Sequence, residues 1–132
     1  MIKKIITVIL VIAFAVGLYK ITSKNPNGVT NNGIDSNSAD MIIYWGEGCP
    51  HCKNVKKYIA DNNIDSKLKI SWKEVYQDKD NQAEMAKTVQ KCPEIDTSKG
   101  MGVPFGFSVK DEKCFVGDKP IIDWIEGQVS KQ

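Results

Sequence analysis

Cys49 and Cys52 stand three positions apart in Gly48-Cys49-Pro50-His51-Cys52. Two thiols at that spacing lie one helical turn apart. They can close a small disulfide or supply half of a metal site. The chain has four cysteines and a single histidine, His51. The chemistry within reach is therefore thiol–disulfide exchange, or metal capture by a thiol module built from Cys49, Cys52 and His51. A zinc site usually needs a second paired motif, whereas Cys92 and Cys114 are 22 positions apart. A c-type haem needs His directly after the second Cys, and Lys53 is there instead.

What surrounds the motif favours exchange. Met41 to Trp45 is a continuous apolar run of strand formers, read as a strand buried on both faces. Gly46 to Gly48 is a turn. From Pro50 to about Asn62 the spacing of Cys52, Val55 and Ile59 predicts a helix with one apolar stripe. Cys49 then sits at a helix start, where backbone N–H groups and the helix dipole stabilise a thiolate. Pro50 suits the first turn because its missing N–H costs nothing there. His51 adds a polarising group and Lys53 a positive charge. All of these favour the Cys49 thiolate and so make the disulfide form a stronger oxidant.

The elements that must hold this motif follow in order. Leu68, Ile70 and Trp72 alternate with Lys69, Ser71 and Lys73, a second strand running to about Tyr76. Asp78 or Asp80 caps a second helix over Asn81 to Lys91, with Met85, Ala86 and Val89 as its apolar face. Pro104 to Val109 and Cys114 to Val116 are short strands joined by the polar turn Lys110 to Lys113. Asp118 caps a last helix with Pro120 in its first turn and an apolar stripe of Ile121, Ile122, Ile125 and Val129. The order β-α-β-α-β-β-α makes the first two strands parallel and the last two an antiparallel hairpin. A four-stranded mixed sheet with helices on both faces is the expected fold. Tyr44 and Trp45 are expected in its core, and Lys56-Lys57 on a solvated helix face.

At 132 residues, 42% of them hydrophobic and 26% charged, the chain suits one globular domain. All 18 basic residues are Lys. Residues 40–132 hold 14 Lys against 15 Asp and Glu, so the positive excess sits in the first 39 residues. Nucleic acid is not an expected partner. Met1 to Ile21 carries Lys3 and Lys4, then fifteen uncharged residues from Ile5 to Tyr19. Counted to Ile21, that run makes a helix of about 25 Å, the lower edge of a bilayer span. It reads as an uncleaved signal anchor or, alternatively, as a signal peptide cut after Ala13-Phe14-Ala15. Both readings export the remainder, to the outer side of the cell membrane or into the space beyond it. Residues 22–39, with five Asn and three Ser in eighteen positions, read as a flexible linker reaching about 20–25 Å. Residues 40–132 form the domain.

The segment MIIYWGEGCPHCKNVKKYI resembles the active-site region of the thioredoxin superfamily, most of all glutaredoxin-type domains. GVPFGF at 102–107 resembles their second landmark, a cis-Pro at the start of the third strand. CFVGDKPIIDWI resembles the glutaredoxin end, where Gly-Asp precedes the last helix. The Cys-Pro-His-Cys tetrad has the form typical of DsbA-type periplasmic disulfide oxidases, whose large helical insertion is absent. The resemblance implies a thioredoxin-like fold and a thiol–disulfide oxidoreductase, with Cys49 as nucleophile and Cys52 as resolving thiol. Pro50 and His51 would tune the pair. Pro104 would be the cis-Pro, and the Val103 backbone would pair with a substrate chain. Partners would be protein thiols and disulfides and a membrane redox protein, with no cofactor beyond the Cys49–Cys52 disulfide. Ile43 stands where those families carry a buried acid, so proton transfer at Cys52 needs water, Glu47 or another group. Only Gly117-Asp118 of the glutathione-binding turn is present, which argues against glutathione.

In the inferred topology the second helix ends, and the fourth strand begins, at the end of the sheet far from Cys49. Cys92 and Cys114 then lie near each other there. In an exported chain a structural disulfide is the natural pairing, with two buried thiols as the alternative.

Overall fold

The structure, a computed structural model, describes residues 33–98 and 100–131. The expected membrane segment 1–21 and residues 22–32 of the expected linker lie outside the described residues. Among the described residues no helix is long and apolar enough to cross a membrane.

The chain is a mixed α/β fold with three helices and a four-stranded sheet. Its elements are β1 (Met41–Trp45), α1 (Pro50–Asp61), β2 (Ile70–Glu74), α2 (Lys79–Val89), β3 (Phe105–Ser108), β4 (Lys113–Val116) and α3 (Asp118–Val129). The strand order is β2-β1-β3-β4. β1 runs parallel to β2, with Met41 opposite Ile70 and Trp45 opposite Glu74. β1 is antiparallel to β3, and β3 to β4. The connection through α1 is what lets β1 and β2 run parallel, because two parallel strands need a crossover between them.

Every residue of β1 is buried. Successive strand side chains point to opposite faces, and β1 divides its side chains between two apolar clusters. Met41, Ile43 and Trp45 join Val55 and Ile59 of α1 and Ile121 and Ile125 of α3. Ile42 and Tyr44 join Met85 and Val89 of α2 and Phe105 and Phe107 of β3. Gly106 leaves room for this packing, since a Cβ there would come within 2.9 Å of the Ile121 side chain.

Three local expectations are corrected. Ser71 is buried, not solvent-facing, because residues 33–39 lie over it and its hydroxyl donates to the Ile34 carbonyl at 2.8 Å. Those residues were expected to be flexible linker. They form a 3-10 turn at Ser36–Ser38, capped by the Asp35 carboxylate, and Ser36 donates to Glu84 at 2.8 Å. Ala86 is exposed, and Thr88 takes its place on the inner face of α2. Thr88 can be buried because its hydroxyl pairs with the Tyr44 hydroxyl at 2.9 Å. Burial pushes the Tyr44 phenol well above its ordinary pKa, so this buried pair stays uncharged.

Cys92 and Cys114 are disulfide-bonded, with Cα atoms 6.1 Å apart. The bond ties the long connection after α2 to β4. Between Val89 and Phe105 that connection has no helix or strand of its own among the described residues. Constraining the unfolded chain across a separation of 22 residues is worth about 3 kcal/mol in the chain-entropy model. Replacing both cysteines by Ser should lower unfolding free energy by about that amount in guanidinium titrations. The same titrations run with reductant should bring the two proteins together; a gap that survives reduction would assign the loss to packing instead.

Candidate active site

β1 ends at Trp45, and Gly46 to Gly48 turn the chain into α1. Gly48 has φ +81°, a conformation costly for any residue with a Cβ. The Cys49 N–H closes the turn on the Gly46 carbonyl at 3.2 Å. Cys49 is the N-cap of α1, and its Sγ accepts the Cys52 N–H at 3.1 Å. A sulfur in place of the usual cap oxygen takes one of the orphan donors of the first turn. Pro50 is the first helical residue. Cys49 and Cys52 are disulfide-bonded, with Cα atoms 5.3 Å apart. Both are buried, Cys49 (6% exposed) less deeply than Cys52 (1%).

The loop before β3 approaches from the other side. The Val103–Pro104 peptide is cis. The Val103 carbonyl oxygen lies 3.5 Å from the Cys49 Sγ, and Pro104 is fully buried. The Pro104 carbonyl accepts the Gly117 N–H at 2.9 Å, which brings the start of α3 to the same end of the sheet.

His51 is exposed, and its Nδ1 faces the Asp118 carboxylate at 3.1 Å. The same oxygen accepts from Asn54 at 2.7 Å. Asp118 was expected to cap α3. Instead Gly117 is the N-cap, without a side-chain bond, and the carboxylate of Asp118 is drawn to two donors on α1. The Asn54 and His51 hydrogen bonds, with a lesser contribution from the Lys119 N–H, hold its pKa down at about 2. The imidazole expected to polarise the Cys49 sulfur thus shares its field with a carboxylate.

Ile43 occupies the position of the missing acid and is fully buried. The buried carboxylate of this end of the sheet is Glu74, 2% exposed, opposite Trp45 in the ladder. Burial pushes its pKa up, but N–H donors from Gln77, Tyr76, Glu47 and Asp78 outweigh that and leave it below the ordinary value. The carboxylate accepts from Tyr76 and Gln77 at 2.8 Å, and from Glu47 in the turn before Cys49 at 3.4 Å. Glu74 therefore ties the active-site turn to the connection between β2 and α2. In the sequence it reads as one more polar strand residue, and no signal there marks it as buried.

Lys56 also departs from expectation. Only Lys57 lies on a solvated face, paired with Asp61 at 2.6 Å. Lys56 is half-buried, with Nζ 3.0 Å from the centroid of the Trp45 ring. Burial lowers its pKa, against the opposing pull of Glu47 and Glu74. Among the described residues no three His, Cys, Asp or Glu side chains converge as a metal site would require. No protein-family model matches this chain, and comparison with curated proteins gives no match.

Two substitutions test these anchors. Glu74→Gln keeps the shape but replaces one carboxylate oxygen by a donor that faces backbone N–H groups. It should cost about 2 kcal/mol, the order expected for a charged hydrogen bond lost in a buried place, read from the urea midpoint. Asp118 is stabilising as an anion, because its folded pKa lies below the unfolded value of about 3.9. That contribution is full above about pH 4 and is lost as pH falls towards 2. The stability gap between the natural protein and Asp118→Asn should therefore narrow between pH 5 and pH 2, as followed by thermal melting.

Proposed function

We propose that this chain is a thioredoxin-like thiol–disulfide oxidoreductase, with α1 and α3 on one face of the sheet and α2 on the other. The observation that carries the reading is the Cys49 sulfur at the N-cap of α1, accepting the Cys52 N–H at 3.1 Å. The donor and the helix dipole both favour negative charge on that sulfur, which is what a nucleophilic thiol needs.

In the reduced protein the Cys49 thiolate attacks one sulfur of a substrate disulfide. An S–S bond forms between Cys49 and that sulfur, and the other substrate sulfur leaves as a thiolate. The Cys52 thiolate then attacks Cys49, closes the Cys49–Cys52 disulfide and releases the second substrate thiolate. Two electrons pass from the protein to the substrate. Run in reverse, the same steps oxidise a substrate dithiol. Cys52 is the more buried sulfur, which suits the resolving role. With Ile43 in place of an acid, its proton passes to water, to Glu47 or to another group. The Val103 backbone pairs with the substrate chain beside Cys49.

The apolar N-terminal run supports attachment to a membrane, with the domain on the extracytoplasmic side. There the substrates are protein thiols and disulfides, and a membrane redox protein resets the pair.

Insulin-disulfide reduction and dithiol oxidation test the reading directly. Both activities should fall to background in Cys49→Ser, and Cys52→Ser should accumulate the mixed disulfide. An inactive natural protein that instead binds one zinc or copper ion tightly would replace this reading with a metal-binding thiol module. The Cys49 pKa should lie below the free value of about 8.5, and the couple should be more oxidising than roughly −270 mV. His51→Tyr should raise the first and make the second more reducing, as measured by thiolate absorbance and glutathione equilibration.

A further inference from the structure

The connection between α2 and β3 carries the Val103 carbonyl to within 3.5 Å of the Cys49 Sγ. Among the described residues, the hydrogen bonds of residues 93–102 stay inside this connection. The Ile95 N–H donates to the Cys92 carbonyl at 3.0 Å and the Gly100 N–H to the Thr97 carbonyl at 2.9 Å. The Ser98 N–H donates to the Asp96 carboxylate at 2.9 Å. Ile95, Met101 and Val103 lay partly buried side chains against the cluster that holds Cys92, Phe105 and Phe107. Apolar contact is non-directional, so it covers these side chains without fixing the backbone at one place.

One strand grips the connection at both ends. Near its start, the Cys92–Cys114 bond joins it covalently to β4. At its end, the Pro104 carbonyl accepts the N–H of Gly117, the residue after β4, at 2.9 Å. The connection and the stretch from Cys114 to Gly117 therefore close a ring, and Val103 lies just inside the second grip. The first grip is remote from the reactive sulfur. Cys114 stands opposite Phe107, and Phe107 opposite Ile42. Ile42 is three residues short of Trp45 at the end of β1, about 10 Å along the strand.

We infer that the Cys92–Cys114 disulfide is a positioning device for exchange at Cys49: by closing this ring it holds the Val103 backbone ready for an extended polypeptide substrate. The inference rests on the exchange reaction proposed above and adds a role in binding to the bond's role in stability. With the ring open, the connection keeps only its apolar contacts and the grip at Pro104. It then samples many conformations, and only a fraction of them present Val103 to a substrate chain. Apparent affinity for that chain falls by the same fraction. A polypeptide that pairs with the Val103 backbone is bound more weakly. A small dithiol needs only access to the Cys49 sulfur, so its reaction is unchanged.

The test runs in the oxidising direction, with full-length protein whose Cys49–Cys52 pair starts as the disulfide. Single-turnover rates are measured against the concentration of a reduced two-cysteine peptide and, in parallel, of dithiothreitol. The natural protein is compared with two double variants, Cys92→Ser/Cys114→Ser and the apolar Cys92→Ala/Cys114→Val. Near-ultraviolet circular dichroism at the assay temperature checks that each is folded, and the second variant serves if the first is not. The half-saturating peptide concentration should rise about tenfold, with the limiting rate and the dithiothreitol reaction unchanged. Amide hydrogen exchange should quicken over residues 93–103 and hold steady in β1. An unchanged half-saturating concentration in a folded variant would overturn the inference and leave the exchange reading intact. An equal loss with the peptide and with dithiothreitol would do the same, since a general loosening of the fold lowers both. No reaction of the natural protein with either thiol would overturn both readings.

Discussion

β1 is hydrogen-bonded along both edges and buried at every residue. The remaining elements are arranged to make that possible. Its peptide groups have no access to water, so β2 and β3 must supply their partners. Its side chains alternate between two apolar clusters, so helices must supply surface to each. Each large side chain buried this way contributes about 1.5–3 kcal/mol. The consequence for the site is positional. A strand held on every side has no freedom at its end, and Cys49 is four residues beyond Trp45.

Three connections converge on that end. The turn after β1 delivers Cys49, the chain after β2 delivers Tyr76 against Gly46, and the loop before β3 delivers the Val103 carbonyl to the sulfur. Glu74 joins the first two through backbone donors on either side of it. Asp118 joins the start of α3 to α1 through His51 and Asn54. Both acids stay ionised, since hydrogen bonds hold both pKa values down. Asp118 faces the His51 imidazole, and Glu74 pulls on the Lys56 ammonium beside Trp45. The charges at this end of the sheet therefore extend beyond the Cys-Pro-His-Cys tetrad.

Periodicity located the elements well where one face of an element is apolar and the other is not. The stripe Cys52, Val55 and Ile59 is the buried set of α1. Periodicity misleads where a polar residue is buried with a partner from elsewhere. Ser71 is covered by Ile34, Thr88 is inside because Tyr44 pairs with it, and Glu74 is inside because backbone N–H groups surround it. In each case the partner is distant in sequence or belongs to the main chain, and no pattern of side-chain types records it. The same limit applies to Asp118. Its place before a helix reads as a cap, yet donors 64 and 67 positions away hold the carboxylate more strongly.

The sequence by itself determined which residues form strands and helices, their order, and the strand-to-helix position of Cys49 and Cys52. Those follow from local rules: hydrophobic period, turn chemistry and the geometry of a helix start. The topology read from the sequence already brings Cys92 towards Cys114, whereas only the tertiary structure decided that His51 turns to Asp118 and that Lys56 lies over Trp45. These depend on how close two separate segments come and on which of several donors or apolar surfaces wins a side chain. That competition is settled by distance and burial, which exist only once the sheet and its helices have packed.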